Sequence, residues 1–162
     1  MITQLVYTIG KKHDSSIEML GTGFFVGNGK YVVTARHVVG DANDGLVIIL
    51  PSIRNFDEYQ DTTINTCNFA DVHIKHSDPF RDLVLLEFSS PVTNVPIPTP
   101  TLGSTDDIHV GDEIYLLAFP HCVAGRRVLT MHNALIGSNI LINSAGIKTK
   151  YFVISTNKRP GQ

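Results

Sequence analysis

The chain has 162 residues, 43% of them hydrophobic and 17% charged, with a formal net charge of −2 at neutral pH. That length is enough for the core of one or two small domains. So small a net charge excludes an electrostatic case for nucleic acid or an anionic membrane surface as partner, and no apolar run approaches the roughly 18 residues of a membrane span.

Taken in order, Met1 to Ile9 alternates as a strand does and has neither the basic start nor the apolar centre of a signal peptide. Ile17 to Leu20 leads into Phe24-Phe25-Val26, then Gly27-Asn28-Gly29, then Tyr31-Val32-Val33. The glycines and asparagine tolerate the positive φ of a tight hairpin, and the flanking residues suit a pleated surface. Thr34 is placed to cap a short helical segment, Ala35 to Val39, which presents His37. Gly40 to Gly45 is turn chemistry, and Leu46 to Leu50 reads as a buried strand. Pro51 to Asn68 is polar and irregular, a surface excursion.

Phe69 to Lys75 is the next strand, and Asp82 stands directly before the apolar strand Leu83 to Phe88. Pro91, Pro96, Pro98 and Pro100 exclude both helix and central strand. The expected organisation is therefore a first β-barrel at 1–90, a linker at 91–102 and a second unit at 103–162. In that second unit, strands are expected at Val110 to Pro120, Arg127 to Ile136, Ile140 to Ile142 and Ile147 to Ser155, with Gly137-Ser138-Asn139 breaking the middle pair. Short strands at such spacing indicate an all-β fold. Cys67 and Cys122 have no metal-site spacing and read as free thiols of a reducing compartment, which gives a cytoplasmic expectation. His73 and His76 share a spacing that two imidazoles sometimes use around a metal, but with no third ligand nearby they read as solvated. No metal or cofactor is expected.

The run Gly21-Thr22-Gly23-Phe24 through Thr34-Ala35-Arg36-His37-Val38 resembles the histidine block of trypsin-like (chymotrypsin-fold) serine proteases, and Asp82-Leu83-Val84-Leu85-Leu86 resembles their aspartate block. Asp78 is a rival carboxylate four residues earlier, and the wording of the block selects Asp82. The order histidine then aspartate is that of the chymotrypsin type. The resemblance implies an all-β, chymotrypsin-like double β-barrel that cleaves a polypeptide substrate. His37 would act as general base and Asp82 would orient it.

Ile154 to Gln162 resembles the approach to the nucleophile loop. There Gly161 corresponds to a glycine whose N–H helps hold the oxyanion, and Gln162 to the residue before the nucleophile. Asn157 falls at the pocket floor; being neutral, it disfavours strict cleavage after a basic side chain. The serine is expected beyond Gln162, with the second barrel incomplete at the C-terminus and a complementary C-terminal segment needed to close it. Ser138, Ser144, Ser155 and Cys122 do not stand in loops of the nucleophile type. Two other readings stay open: a non-catalytic pseudo-protease or peptide-binding module, and a viral-type cysteine protease of the same fold.

Overall fold

The structure is a computed structural model that describes residues 2–27, 29–40, 42, 44–91 and 100–156. Six strands form a closed antiparallel barrel. They are β1 (Val6–Lys12), β2 (Ile17–Val26), β3 (Tyr31–Ala35), β4 (Leu46–Ile49), β5 (Phe69–Asp78) and β6 (Leu83–Phe88), in the order β1-β2-β3-β6-β5-β4. Pairing of β4 with β1, from Thr8 opposite Ile49 to Lys11 opposite Leu46, closes the ring. Closure leaves the barrel no free sheet edge.

Strand alternation selects the core. Tyr7 and Ile9 from β1, Phe25 from β2, Val32 from β3, Leu46 and Ile48 from β4, Val72 from β5, and Val84 and Leu86 from β6 form one buried cluster. Burial of each large apolar side chain in such a cluster contributes about 1.5–3 kcal/mol. Tyr7 packs edge-on against Phe25 with ring centroids 4.3 Å apart, and its hydroxyl donates to the Gln4 carbonyl at 2.7 Å. Burial pushes the Tyr7 phenol pKa up.

The outward residues of β1 are buried too: Val6 and Thr8 have almost no exposure. Residues 118–129 belong to the same compact unit as the barrel, although they follow the expected linker in sequence. Phe119, Cys122 and Leu129 in this segment are buried. Three side chains fasten it: the Phe119 N–H donates to Thr22 Oγ1 at 2.9 Å, Arg127 Nη1 donates to the Leu50 carbonyl at 2.7 Å, and the Gln60 amide grips Leu129. Gln60 Nε2 donates to the Leu129 carbonyl at 2.8 Å, and the Leu129 N–H donates to Gln60 Oε1 at 2.7 Å. The excursion at 51–68 is thus irregular, as its sequence implies, yet well anchored. Thr8 Oγ1 is a fully buried hydroxyl with no hydrogen-bond partner among the described residues.

The second unit comprises residues 101–117 and those from 130 onward. Its described strands are β7 (Glu113–Ala118), β8 (Thr130–Ser144) and β9 (Ile147–Thr156), a sheet in the order β7-β8-β9. Ala145 and Gly146, both at positive φ (51° and 85°), make the two-residue turn between β8 and β9, the geometry that matches strand twist. Gly137 does not break β8. The ladder shifts register between Ile136 and Ser138 and then continues, so the glycine marks a bulge within one strand. A Cβ there would lie 2.6 Å from Ser155 Oγ. Of the linker expected at 91–102, residues 92–99 lie outside the described residues.

Candidate active site

The hairpin β2–β3 delivers His37. Gly27 (φ 59°) and Gly29 (φ 74°) supply the positive φ of its turn, and β3 runs directly into a single helical turn, α1 (Arg36–Val39). Val39 on that turn is buried in the barrel core, which fixes the turn's orientation and leaves His37 facing outward. The Gly40 N–H closes the turn on the Arg36 carbonyl at 2.9 Å.

Thr34 does not cap this turn. Its hydroxyl donates to the Thr22 carbonyl on β2 at 2.8 Å. The reason is strand alternation: Thr34 follows Val32 on the buried side of β3, where a desolvated hydroxyl is stabilised by a nearby acceptor. The capping role passes to Asp82. Its main-chain carbonyl accepts the Arg36 N–H at 2.9 Å, and Oδ1 accepts the His37 N–H at 2.9 Å. These are two of the N–H groups that a helix start leaves without intrahelical partners.

Asp82 reaches α1 because Ala35 pairs with Leu83 across β3 and β6, which brings the residue before β6 level with the residue after β3. Asp82 also has positive φ (55°), a conformation that aspartate tolerates better than most residues. Its second oxygen, Oδ2, lies 2.5 Å from His37 Nδ1. Hydrogen bonding from the His37 ring, and next from the His37 main-chain N–H, holds the Asp82 carboxyl below the usual carboxylate range. An ionised carboxylate at Nδ1 keeps the proton on that nitrogen and leaves Nε2 as the acceptor. The His37 side chain is 75% exposed and that of Asp82 49%, so the imidazole is open to an incoming group.

The rival carboxylate, Asp78, is engaged in its own turn: Oδ1 accepts the Phe80 and Arg81 N–H groups and Oδ2 accepts Arg81 Nη1 at 2.7 Å. His73 lies opposite Glu87 across β5 and β6, with Nε2 3.5 Å from a Glu87 oxygen that Lys75 Nζ approaches at 2.9 Å. Among the described residues, no group of three or more His, Cys, Asp or Glu side chains is arranged to hold a metal. Cys122 is buried, and burial raises its thiol pKa, the opposite of an activated nucleophile. Ser138 and Ser155 are ladder residues of β8 and β9, and Ser144 ends β8 at the hairpin. Asn157, Gly161 and Gln162 lie outside the described residues. Sequence reasoning did not anticipate the part played by Thr22, whose carbonyl accepts from Thr34 and whose hydroxyl accepts from the Phe119 N–H, although the Gly-Thr-Gly pattern was the available signal.

The trypsin-like peptidase domain family matches this chain over residues 21–159. The chain belongs to the trypsin-like peptidase domain family. It is also 30% identical over 141 residues to the magnetosome formation protease MamE of Paramagnetospirillum magneticum, an alignment that spans 82% of this chain and 17% of that protein. Among solved structures, the HtrA-type protease AlgW, determined with a decapeptide, superposes with a TM-score of 0.66 at 19% identity, covering 96% of this chain and 48% of that one. The Rv3671c protease from M. tuberculosis, in its active form, superposes with a TM-score of 0.67 at 18% identity, covering 98% and 62%. These likenesses show a shared fold, the chymotrypsin-like arrangement that the sequence blocks imply. The chain spans less than two thirds of the length of each of these three proteins.

Proposed function

We propose that this trypsin-like domain is part of a serine endopeptidase in which His37 is the general base and Asp82 orients it. The observation that carries the reading is the double engagement of one carboxylate. Asp82 caps the backbone of the turn that holds His37 and accepts the Nδ1 proton of the same residue. In the reaction, Nε2 of His37 takes the proton of a serine hydroxyl as the hydroxyl oxygen attacks the peptide carbonyl. The protonated ring then gives that proton to the leaving amine, and water repeats the cycle on the acyl-enzyme. Asp82 stays ionised throughout and stabilises the transient imidazolium.

In this proposal the serine follows Gln162 in the polypeptide, the Gly161 N–H contributes to the oxyanion site, and Asn157 lines the specificity pocket. A polypeptide substrate accords with the peptide-bound state in which the AlgW structure was determined. Further strands would extend the second sheet beyond β9, whose Ile147, Val153 and Ile154 are exposed.

The test is labelling of the polypeptide encoded by the complete reading frame with a fluorophosphonate probe, followed by mass-spectrometric location of the adduct. The proposal predicts one labelled serine just after Gln162, and loss of labelling in His37→Ala. Labelling confined to a cysteine by a thiol probe would favour the cysteine-protease alternative. Peptide binding with no label at all would favour a binding module, and either result overturns the proposal.

A further inference from the structure

We propose that Gly21 is a positioning residue for His37, acting through Val38. The inference deepens the catalytic reading above and rests on it for what His37 does, but the geometry stands on its own. A Cβ placed on Gly21 would lie 2.7 Å from Val38 Cγ1, 2.9 Å from Cγ2 and 3.4 Å from Cβ. Val38 is the residue after His37, on the same helical turn, and it packs against the barrel core. The absent side chain of Gly21 is therefore the notch in which α1 sits against β2.

Rotation of Val38 does not relieve the clash. Both methyl groups face Gly21, and a valine Cβ carries only one hydrogen, so every staggered χ1 leaves at least one methyl in the occupied space. The neighbour is a branched carbon one bond from the backbone, so the turn itself must move. Bringing the 2.7 Å contact to an ordinary 3.4 Å requires a displacement of about 0.7 Å in a close-packed region. Asp82 is bonded to α1 but is also anchored at the head of β6 by the pairing of Leu83 with Ala35, so it does not move freely with the turn. The displacement therefore falls on the 2.5 Å contact between Nδ1 and Oδ2, and misplacements approaching 1 Å in a reacting constellation cost up to about 100-fold in rate.

Gly23 provides the contrast. A Cβ there would meet Ile9 Cδ1 at 2.7 Å, Val32 Cγ1 at 2.8 Å and the Val33 carbonyl at 3.1 Å. These are barrel residues, and none belongs to α1. The two glycines of the Gly-Thr-Gly pattern thus separate by role: Gly23 admits the core, and Gly21 admits the histidine turn.

The experiment uses the polypeptide from the complete reading frame and compares wild type with Gly21→Ala, Gly23→Ala and the double variant Gly21→Ala/Val38→Ala. One readout is the tautomer of His37 from the ring 15N–1H correlation spectrum, which does not require catalysis. The other is kcat and KM on a peptide substrate. Gly21→Ala should move His37 away from the Nδ1–H tautomer and lower kcat about 10- to 100-fold with KM within about 2-fold. Removing the methyl groups in the double variant should restore the tautomer and most of kcat. Gly23→Ala should lower the unfolding midpoint and leave the tautomer unchanged. The proposal is overturned if Gly21→Ala keeps the wild-type tautomer, if Val38→Ala fails to rescue it, or if both variants fail to fold. A wild-type protein without peptidase activity would overturn the catalytic reading, while the tautomer comparison would still decide the role of Gly21.

Discussion

Two threonines at buried positions of one barrel make a sharp test of what stabilises it. Thr8 and Thr34 both have relative exposures of at most 3%. Thr34 donates to the Thr22 carbonyl, whereas Thr8 Oγ1 has no partner among the described residues. Replacing either with valine keeps the β-branch and nearly the same shape. At Thr8 the exchange removes a desolvated hydroxyl that has nothing to bond to, a defect worth about 1–3 kcal/mol, so Thr8→Val should stabilise the barrel by about 1–2 kcal/mol. At Thr34 the same exchange deletes a formed hydrogen bond and leaves an acceptor behind, so Thr34→Val should destabilise by about 1–2 kcal/mol. With a urea slope of about 1–3 kcal/mol per molar, the two midpoints should move in opposite directions by roughly 0.3–2 M each. Hydrogen exchange of the Ile9, Val32 and Leu86 amides would confine the comparison to the barrel. Shifts of the same sign in both variants would refute the reasoning, and a loss above about 1 kcal/mol in Thr8→Val would show that this hydroxyl has a partner after all.

Other outcomes follow from the same structure. Asp82→Ala removes the side-chain half of the cap and the Nδ1 acceptor together, so hydrolysis by the complete polypeptide should fall by a factor of order 10⁴; Asp82→Asn keeps an oxygen for the cap but should fall comparably because the tautomer is no longer held, as steady-state kinetics on a peptide would show. The Asp82 carboxyl is held below the usual range by the His37 ring hydrogen bond. Its contribution to stability is therefore present above the unfolded-state value near pH 3.9 and is lost as pH falls through the lower folded value, so denaturation curves of wild type and Asp82→Asn should differ at pH 6 and converge well below pH 4. Cys67 is partly exposed and Cys122 buried, with the Cys122 thiol pKa raised by burial. A thiol reagent at neutral pH should therefore modify Cys67 in the folded protein, and Cys122 only on unfolding.

The all-β class was legible because hydrophobic alternation and glycine turns are local signals. The strands of the barrel begin and end close to where Phe24 to Val33, Leu46 to Leu50 and Leu83 to Phe88 place them. The pairing of His37 with Asp82 was legible only through the order of the histidine and aspartate blocks, since the register that joins β3 to β6 is a long-range fact. Thr34 shows the limit of local reasoning. A threonine before a helical turn invites a cap, but the strand's alternation turns its hydroxyl inward and a distant aspartate takes the position. Gly137 is a similar case, where a turn-like triplet proves to be a bulge because β9 continues past it on the facing strand. The docking of residues 118–129 on the barrel unit rests on side-chain grips by Thr22, Gln60 and Arg127. None of these leaves a periodic trace in sequence.

A general-base role for His37 requires its Nδ1 to carry the ring proton in the neutral form, leaving Nε2 free to accept. Ring 15N spectra of the complete polypeptide should show the Nδ1–H form in the wild type and its loss in Asp82→Ala. An Nε2–H ring in the wild type, or a tautomer indifferent to Asp82, would contradict it.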